Sequence, residues 1–183
     1  MANAKGMSLT EMVKFLRSRR EQAAALLPAG LQHYLDEKIN VARWYPEQDM
    51  VGLVRVLARL LPASDEEPLV TIGRLNARHH MQGAYRHLFD GFDLSRVPLR
   101  AVALWRSMHD TGDLRVALQD REALVDVVDY GYPSPEMCVM IRPYLEELFS
   151  AAGAKNVRSE KSACCLAGAV ACSYRILWES VGG

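Results

Sequence analysis

The chain has 183 residues, half of them hydrophobic and 24% charged, enough for one domain with a sizeable core. Its 22 Lys and Arg balance 22 Asp and Glu, which argues against nucleic acid as the main partner, because such proteins carry a basic excess. No apolar run approaches the roughly 18 to 20 residues of a membrane span, and the N-terminus lacks the apolar core of a signal peptide, so the expectation is a cytoplasmic protein whose four cysteines are thiols or metal ligands.

Ser8 to Leu27 is predicted as an amphipathic helix, with Leu9, Met12, Val13, Leu16, Ala23 and Leu27 at helical spacing. Ser8 and Glu11 stand at capping-box spacing, and Pro28 and Gly30 end the pattern. Lys14, Arg17, Arg19 and Arg20 could meet an acidic partner or a membrane surface, but Glu11 and Glu21 dilute them toward a solvated face. Leu31 to Val41 reads as a second, shorter helix. Pro46 keeps the residue before it out of the helical region, and Asp49 caps a helix to about Leu61 with Met50, Leu53, Val54, Leu57 and Leu60 on its stripe. Trp44 and Tyr45 either anchor this junction or line a ligand cavity. Ala63 to Pro68 is a polar connection. Thr71 to Phe89 is a further helix containing His79, His80 and His87. His80 and His87 are two turns apart, whereas metal ligands on one helix usually stand three or four apart, so no metal role is expected for them.

Asp90 to Asp93 reads as a turn and Pro98 to Asp110 as a helix with Val102, Trp105 and Met108 inward. Leu114, Val116 and Leu118 alternate with polar positions, Asp120-Arg121 turns the chain, and Leu124 to Tyr130 completes a hairpin. Ser134 is a suitable cap and Pro135 suits the first position of the next helix, whose face is Met137, Met140, Ile141, Tyr144, Leu145 and Leu148. Pro143 lies inside that helix and is expected to kink it. A strand from Asn156 to Glu160, a turn holding Cys164 and Cys165, and a terminal strand complete the chain. In that last strand Val170, Cys172, Tyr174, Ile176 and Trp178 fall on every second position, the pattern of a half-buried strand. The whole reads as a single α+β domain over residues 1–183. A mainly helical portion (1–90) packs on a four-stranded antiparallel sheet made of two hairpins flanking a helix. Neither a P-loop nor a dinucleotide fingerprint occurs, no Gly-x-Ser-x-Gly elbow or carboxylate dyad stands out, and no base pairs in sequence with a thiol. The expectation is a protein that is not an enzyme.

Over Pro98 to Glu179 the sequence resembles the 4-vinyl-reductase domain family, part of a wider group that includes TRAPP vesicle-tethering subunits and sensor domains of aromatic-responsive bacterial regulators. The resemblance rests on Cys138, Pro143-Tyr144, Gly153, Cys164, Gly168 and Cys172, on the strand through Tyr174 to Trp178, and on the preceding order of Leu104-Trp105, Gly112 and a hairpin. It implies that Cys138, Cys164 and Cys172 correspond to three thiol ligands of a structural zinc. The acidic fourth ligand is replaced by Lys161, while Glu160, one position away, faces the other side of a strand. The alternative is a set of buried free thiols. The resemblance further implies a non-enzymatic sensory or regulatory domain that binds a hydrophobic small molecule between helices and sheet and signals through a partner protein. Trp44, Tyr45, Trp105, Tyr132 and Tyr144 are the candidate pocket wall. The alternative is a homodimeric interaction or assembly adaptor for a signalling or trafficking partner, with its pocket collapsed. Tetrapyrrole enzymology comes last, because fold-level likeness confers no activity.

Overall fold

The computed structural model describes residues 1–62, 67–83, 85–89, 91 and 93–182. The connection expected at Ala63 to Pro68 lies mostly outside them, as does part of the turn at 90–93. The elements run β1 (Asn3–Lys5), α1 (Gly6–Ser18), α2 (Arg20–Leu26), β2 (Trp44–Pro46), α3 (Glu47–Leu60), α4 (Pro68–Gln82), α5 (Val97–Met108), β3 (Asp113–Leu118), β4 (Glu122–Val128), α6 (Pro135–Ala151), β5 (Ala154–Lys155), β6 (Arg158–Ala163), β7 (Ala171–Leu177) and β8 (Ser180–Val181). The expected α+β architecture is present: an antiparallel sheet in the order β3-β4-β7-β6 follows a helical first half.

Several local expectations give way to tertiary contacts. The first helix begins at Gly6, not at Ser8, because β1 pairs with β2 and the Gly6 N–H donates to the Arg43 carbonyl at 2.8 Å. A Cβ at Gly6 would meet the Asn40 carbonyl oxygen at 2.2 Å, so only glycine lets the two segments approach. The helix breaks at Arg19, and the expected second helix is a 3-10 turn over Ala29–Leu35. The basic cluster explains both. Arg17 donates to the carbonyls of Tyr34 and Glu37, and Arg20 to the carbonyl of Leu35 and the carboxylate of Asp36. These arginines close the end of the turn rather than face an outside partner. Asp49 lies inside α3, which starts at Glu47 directly after Pro46.

The sheet has one buried face. Ala123, Val125 and Val127 of β4 stand beside Ile176, Tyr174 and Cys172 of β7, and all six are buried. The opposite face carries charge, with Arg175 Nε 2.9 Å from Glu122 Oε2. Val170 does not join the buried set expected of it. It precedes β7, just past the left-handed Gly168 (φ 90°), and is fully exposed. The burial of the other positions follows the two-residue period of a strand packed on one side.

Two cores result. The first joins α1, α2 and α3 with Ile72, Met137 and Met140; the second joins α5, the sheet and the later part of α6. Helix α6 belongs to both. Its Ser134 cap accepts from the Met137 N–H at 3.2 Å, and Pro143 leaves the helix continuous from Pro135 to Ala151. Helix α4 lies directly against it at Gly73, where a Cβ would sit 2.4 Å from the Met140 carbonyl oxygen and 2.7 Å from Pro143 Cγ. Ion pairs from Arg74 to Glu146 (3.0 Å) and Arg78 to Glu147 (2.8 Å) flank that contact. Being partly exposed, they add little beyond register.

The crossing of α4 and α6 therefore depends on the absence of one methyl group. Gly73→Ala is expected to destabilise the fold by about 1–3 kcal/mol, the usual cost of overpacking, despite alanine's better helix propensity. Urea unfolding of the two proteins measures it; an unchanged or raised midpoint would show that the crossing is looser than described.

Candidate functional site

Where the two cores meet, a cavity of about 80 Å³ opens between α1, α3 and α4 on one side and α5 and α6 on the other. Its wall is mainly apolar, with Met12, Met50, Trp105, Met108, Met140 and Leu148 among the lining side chains. Ser8, Asn76, His80 and His109 are its polar members. Ser8, displaced from the cap position, leaves its Oγ buried without a partner.

The two histidines are held differently. His109 follows α5 and lies where β1 makes a single bridge through Ala4. Its Nδ1 is 2.5 Å from Oε1 of Glu47, a carboxylate with no exposed surface, and the Tyr130 hydroxyl donates to the other oxygen, Oε2. Trp105 stacks on the imidazole with centroids 4.2 Å apart, and Tyr130 meets it edge-on at 5.6 Å. A buried carboxylate needs such donors to offset its lost hydration. Burial, then the Glu47 charge, pushes the Tyr130 hydroxyl well above its ordinary value, so it remains a donor. His80 comes from α4 and bonds through Nδ1 to the Tyr144 hydroxyl of α6 at 3.0 Å. Burial, with lesser repulsion from His79 and His109, lowers its pKa to about 4, so it is neutral at pH 7. Neither Nε2 is hydrogen-bonded to a described residue.

The five aromatic residues expected to form a pocket wall are not in one place. Trp105 and Tyr144 line the junction cavity. Trp44 is on the surface under Lys5, whose Nζ is 4.1 Å from the ring centroid. Tyr45 accepts the Asn40 N–H at 2.9 Å, and Tyr132 packs against the first core. Sequence reasoning missed Glu47, His80 and His109. The last two carried no ligand spacing, and Glu47, between Pro46 and Asp49, looked like any charge at a helix start.

The cysteines expected to meet do so. The Sγ atoms of Cys138 on α6, Cys164 in the turn and Cys172 on β7 all lie within 4.8 Å of one another, with Cys138 and Cys164 3.9 Å apart. Cys165 Sγ is 3.1 Å from Cys172 Sγ. Lys161 points inward, its Nζ 3.7 Å from Cys172 Sγ, while Glu160 is exposed on the other face, as the strand alternation requires. Burial pushes the Cys138 thiol up to about 11, against the pull of Lys161. At Cys164 burial also raises the value, but Lys161 and the Leu166 N–H outweigh it and bring it to about 7. An ammonium among thiols can thus stabilise at least one thiolate. A second cavity of about 130 Å³ lies beside the cluster, between the start of α6 and the sheet.

No protein-family model matches the sequence, and no curated protein does. Solved structures do match, over nearly the whole chain. An H-NOX protein from S. oneidensis in the Fe(II) ligation state shares 17% identity over 98% of each chain, with a TM-score of 0.67. The S. oneidensis protein in its Fe(II)NO state gives 14% identity, 96% and 99% coverage and a TM-score of 0.68. The Fe(II) unliganded H-NOX protein of K. algicida gives 13%, 96% and 97%, and 0.64. The chain has the H-NOX fold. This overturns the resemblance to 4-vinyl-reductase domains and with it the TRAPP-like description. Those rested mainly on seven residues between Cys138 and Cys172, and these mark a helix followed by a hairpin closed by cysteines. They say nothing of the helical half, which also superposes on the H-NOX structures.

The neutral burial of His80 has a pH signature. Its folded pKa lies below the unfolded value of about 6.5, so the unfolded chain binds the extra proton first and stability is lost as pH falls from about 6.5 to about 4. The loss attributable to this group is on the order of 3 kcal/mol. Denaturant unfolding at pH 7.5 and 4.5 should show a steeper acid loss in the parent than in His80→Gln. Parallel losses would mean that His80 is not neutral in the fold.

Proposed function

We propose that this chain is a non-enzymatic sensory domain on the H-NOX fold, and that its ligand is a small, mostly apolar molecule held in the junction cavity. The observation that carries the proposal is the place and size of that cavity. It lies between two separate cores, so that filling it biases how they pack, and its volume is about 80 Å³. A ligand with different affinity for two packings shifts their populations, and the shift is what a partner protein reads.

H-NOX structures with this fold are described in Fe(II), Fe(II)NO and Fe(II)CO states and in terms of heme distortion, so heme is the first ligand to test against these residues. It does not fit. Pockets for molecules of that size span roughly 300–1,000 Å³. Here Trp105, Tyr144, Met108 and Met140 line a space several-fold smaller, and α4 and α6 are in contact at Gly73. A porphyrin with two carboxylates also asks for cations, and no described Lys or Arg lines the cavity. The space suits three or four heavy atoms, about half the ~150 Å³ cavity that takes benzene.

A structural metal at the cysteines is a separate component of the proposal. Zinc–thiolate bonds of about 2.3 Å put tetrahedral sulfurs about 3.8 Å apart, close to the 3.9 Å between Cys138 and Cys164. Cys172 would be the third ligand and Cys165, with a small shift of the turn, the fourth. Lys161 then offsets the negative charge of the thiolate set rather than competing with the metal.

Three measurements test these readings. Protein expressed with ample heme should purify without stoichiometric heme and show no coordinated Soret band on titration with hemin. Under xenon pressure its melting temperature should rise, and Ala101→Val, which fills the cavity wall, should abolish the rise. Stoichiometric histidine-ligated heme would overturn the ligand reading, as would the absence of any xenon effect. Elemental analysis should find about one zinc per chain, lost in Cys138→Ser and Cys172→Ser; a metal-free chain that also fails to bind added zinc would remove the metal.

A further inference from the structure

We infer that His109 is the polar anchor of the junction cavity, held by Glu47 in the tautomer whose Nε2 accepts a hydrogen bond, so that the site selects short neutral molecules carrying one O–H or N–H donor. The inference deepens the cavity reading above and rests on it. It adds the class of ligand and the residues that set it.

Each edge and face of the imidazole has a defined neighbour except one. Nδ1 is committed to Glu47 Oε1 at 2.5 Å. Trp105 covers one face and Tyr130 approaches edge-on. The backbone is fixed on both sides: the His109 N–H donates to the Trp105 carbonyl at 2.9 Å, and the Asp110 N–H donates to the Asn3 carbonyl at 3.1 Å. Asp110 is itself gripped by Asn3, whose N–H and Nδ2 each donate to the carboxylate at 2.6 Å. The ring therefore cannot turn without giving up its bond to Glu47. It is only 8% exposed and lines the cavity. The free nitrogen is Nε2.

The carboxylate decides what that nitrogen does. Glu47 already accepts from the Tyr130 hydroxyl, and an ionised carboxylate can only accept. The proton shared with His109 therefore belongs on Nδ1, and in the singly protonated ring that leaves the lone pair on Nε2. Across the cavity His80 is neutral and committed through Nδ1 to Tyr144. The rest of the wall is hydrocarbon, thioether and aromatic, apart from Ser8 and Asn76. An anion would find no described Lys or Arg there, and a cation no described carboxylate that is not already bonded. A short alcohol satisfies both requirements: its alkyl body takes the place of apolar contact, and its hydroxyl donates to Nε2. Glu47 acts as a positioning residue, through the ring and not on the ligand.

The test uses the intact protein, labelled with 15N, and 1-propanol and xenon as probes at neutral pH. Long-range 1H–15N correlation should show His109 protonated at Nδ1 and unprotonated at Nε2, and 1-propanol should move the Nε2 resonance. Glu47→Gln, which keeps the shape but can also donate toward Nδ1, should mix the tautomers and weaken 1-propanol binding roughly three- to tenfold, the worth of one hydrogen bond. Xenon binding should not change. A proton on Nε2, or a 1-propanol affinity untouched by Glu47→Gln, overturns the inference even if xenon still binds. If xenon and 1-propanol both fail to bind, the cavity reading falls with it. If the Nε2 resonance shows a bound water that 1-propanol does not displace, the anchor serves solvent and the inference is wrong.

Discussion

Burying one carboxylate sets the geometry of this molecule. Glu47 has no contact with water, so its charge requires donors from the protein, and the two that supply it come from distant parts of the chain: His109 at the end of α5 and Tyr130 just past β4. The carboxylate itself begins α3, in the helical half. Satisfying it therefore locks the first core to the second. The surrounding contacts follow the same logic. Ala2 accepts the Glu47 N–H at 3.0 Å, Asn3 accepts the Asp110 N–H, and β1 becomes a strap between the start of α3 and the end of α5. Losing one partner would strand the others in a low-dielectric interior, which costs far more than the intact group contributes to stability.

The same group narrows the interior at the seam. To reach Glu47, His109 lies flat against Trp105, and Tyr130 stands against both rings. Three large aromatic side chains thus gather at the seam between the cores. What remains is a small space rimmed by two methionines from the helical half and three from the later helices, flexible side chains suited to irregular gaps. A fold found in proteins described with iron ligation states carries these side chains at its seam here. The likeness of backbone, at 17% identity or less, does not carry the contents of the interior with it.

The layout of the fold was legible in the sequence because its signals are periodic. The stripe Met50, Leu53, Val54, Leu57 gave α3, the alternation Cys172, Tyr174, Ile176 gave β7, and Ser134-Pro135 gave the start of α6. These signals are local, and tertiary contacts leave them intact. Ser8 failed as a cap because pairing of β1 with β2 started the helix two residues early. The break at Arg19 was hidden because its cause is Arg17 and Arg20 reaching a turn some 15 to 20 residues away in sequence. Glu47 and His109 are 62 residues apart, and nothing in either neighbourhood marks the pair. The cysteines were legible for the opposite reason: three of them fall on one hairpin whose register is fixed by alternation, and Cys138 follows a recognisable cap.

Helix α6 makes these separate features one system. Met137 and Met140 belong to the first core, Leu145, Leu148 and Phe149 to the second, Tyr144 holds His80 at the cavity, and Cys138 meets the thiols of the turn. A small shift of this helix along its axis would be felt at all four places, and it is resisted where Met140 and Pro143 press on Gly73. Packed interiors respond to such pressure by switching between discrete arrangements rather than by deforming smoothly. A ligand at the seam and a metal or charge at the cysteines would therefore act on the same rigid element from two sides. The exposed turn that carries Leu166 and Val170 is joined to that element through Cys138 and Cys164, so a shift of the helix would be felt at the surface there.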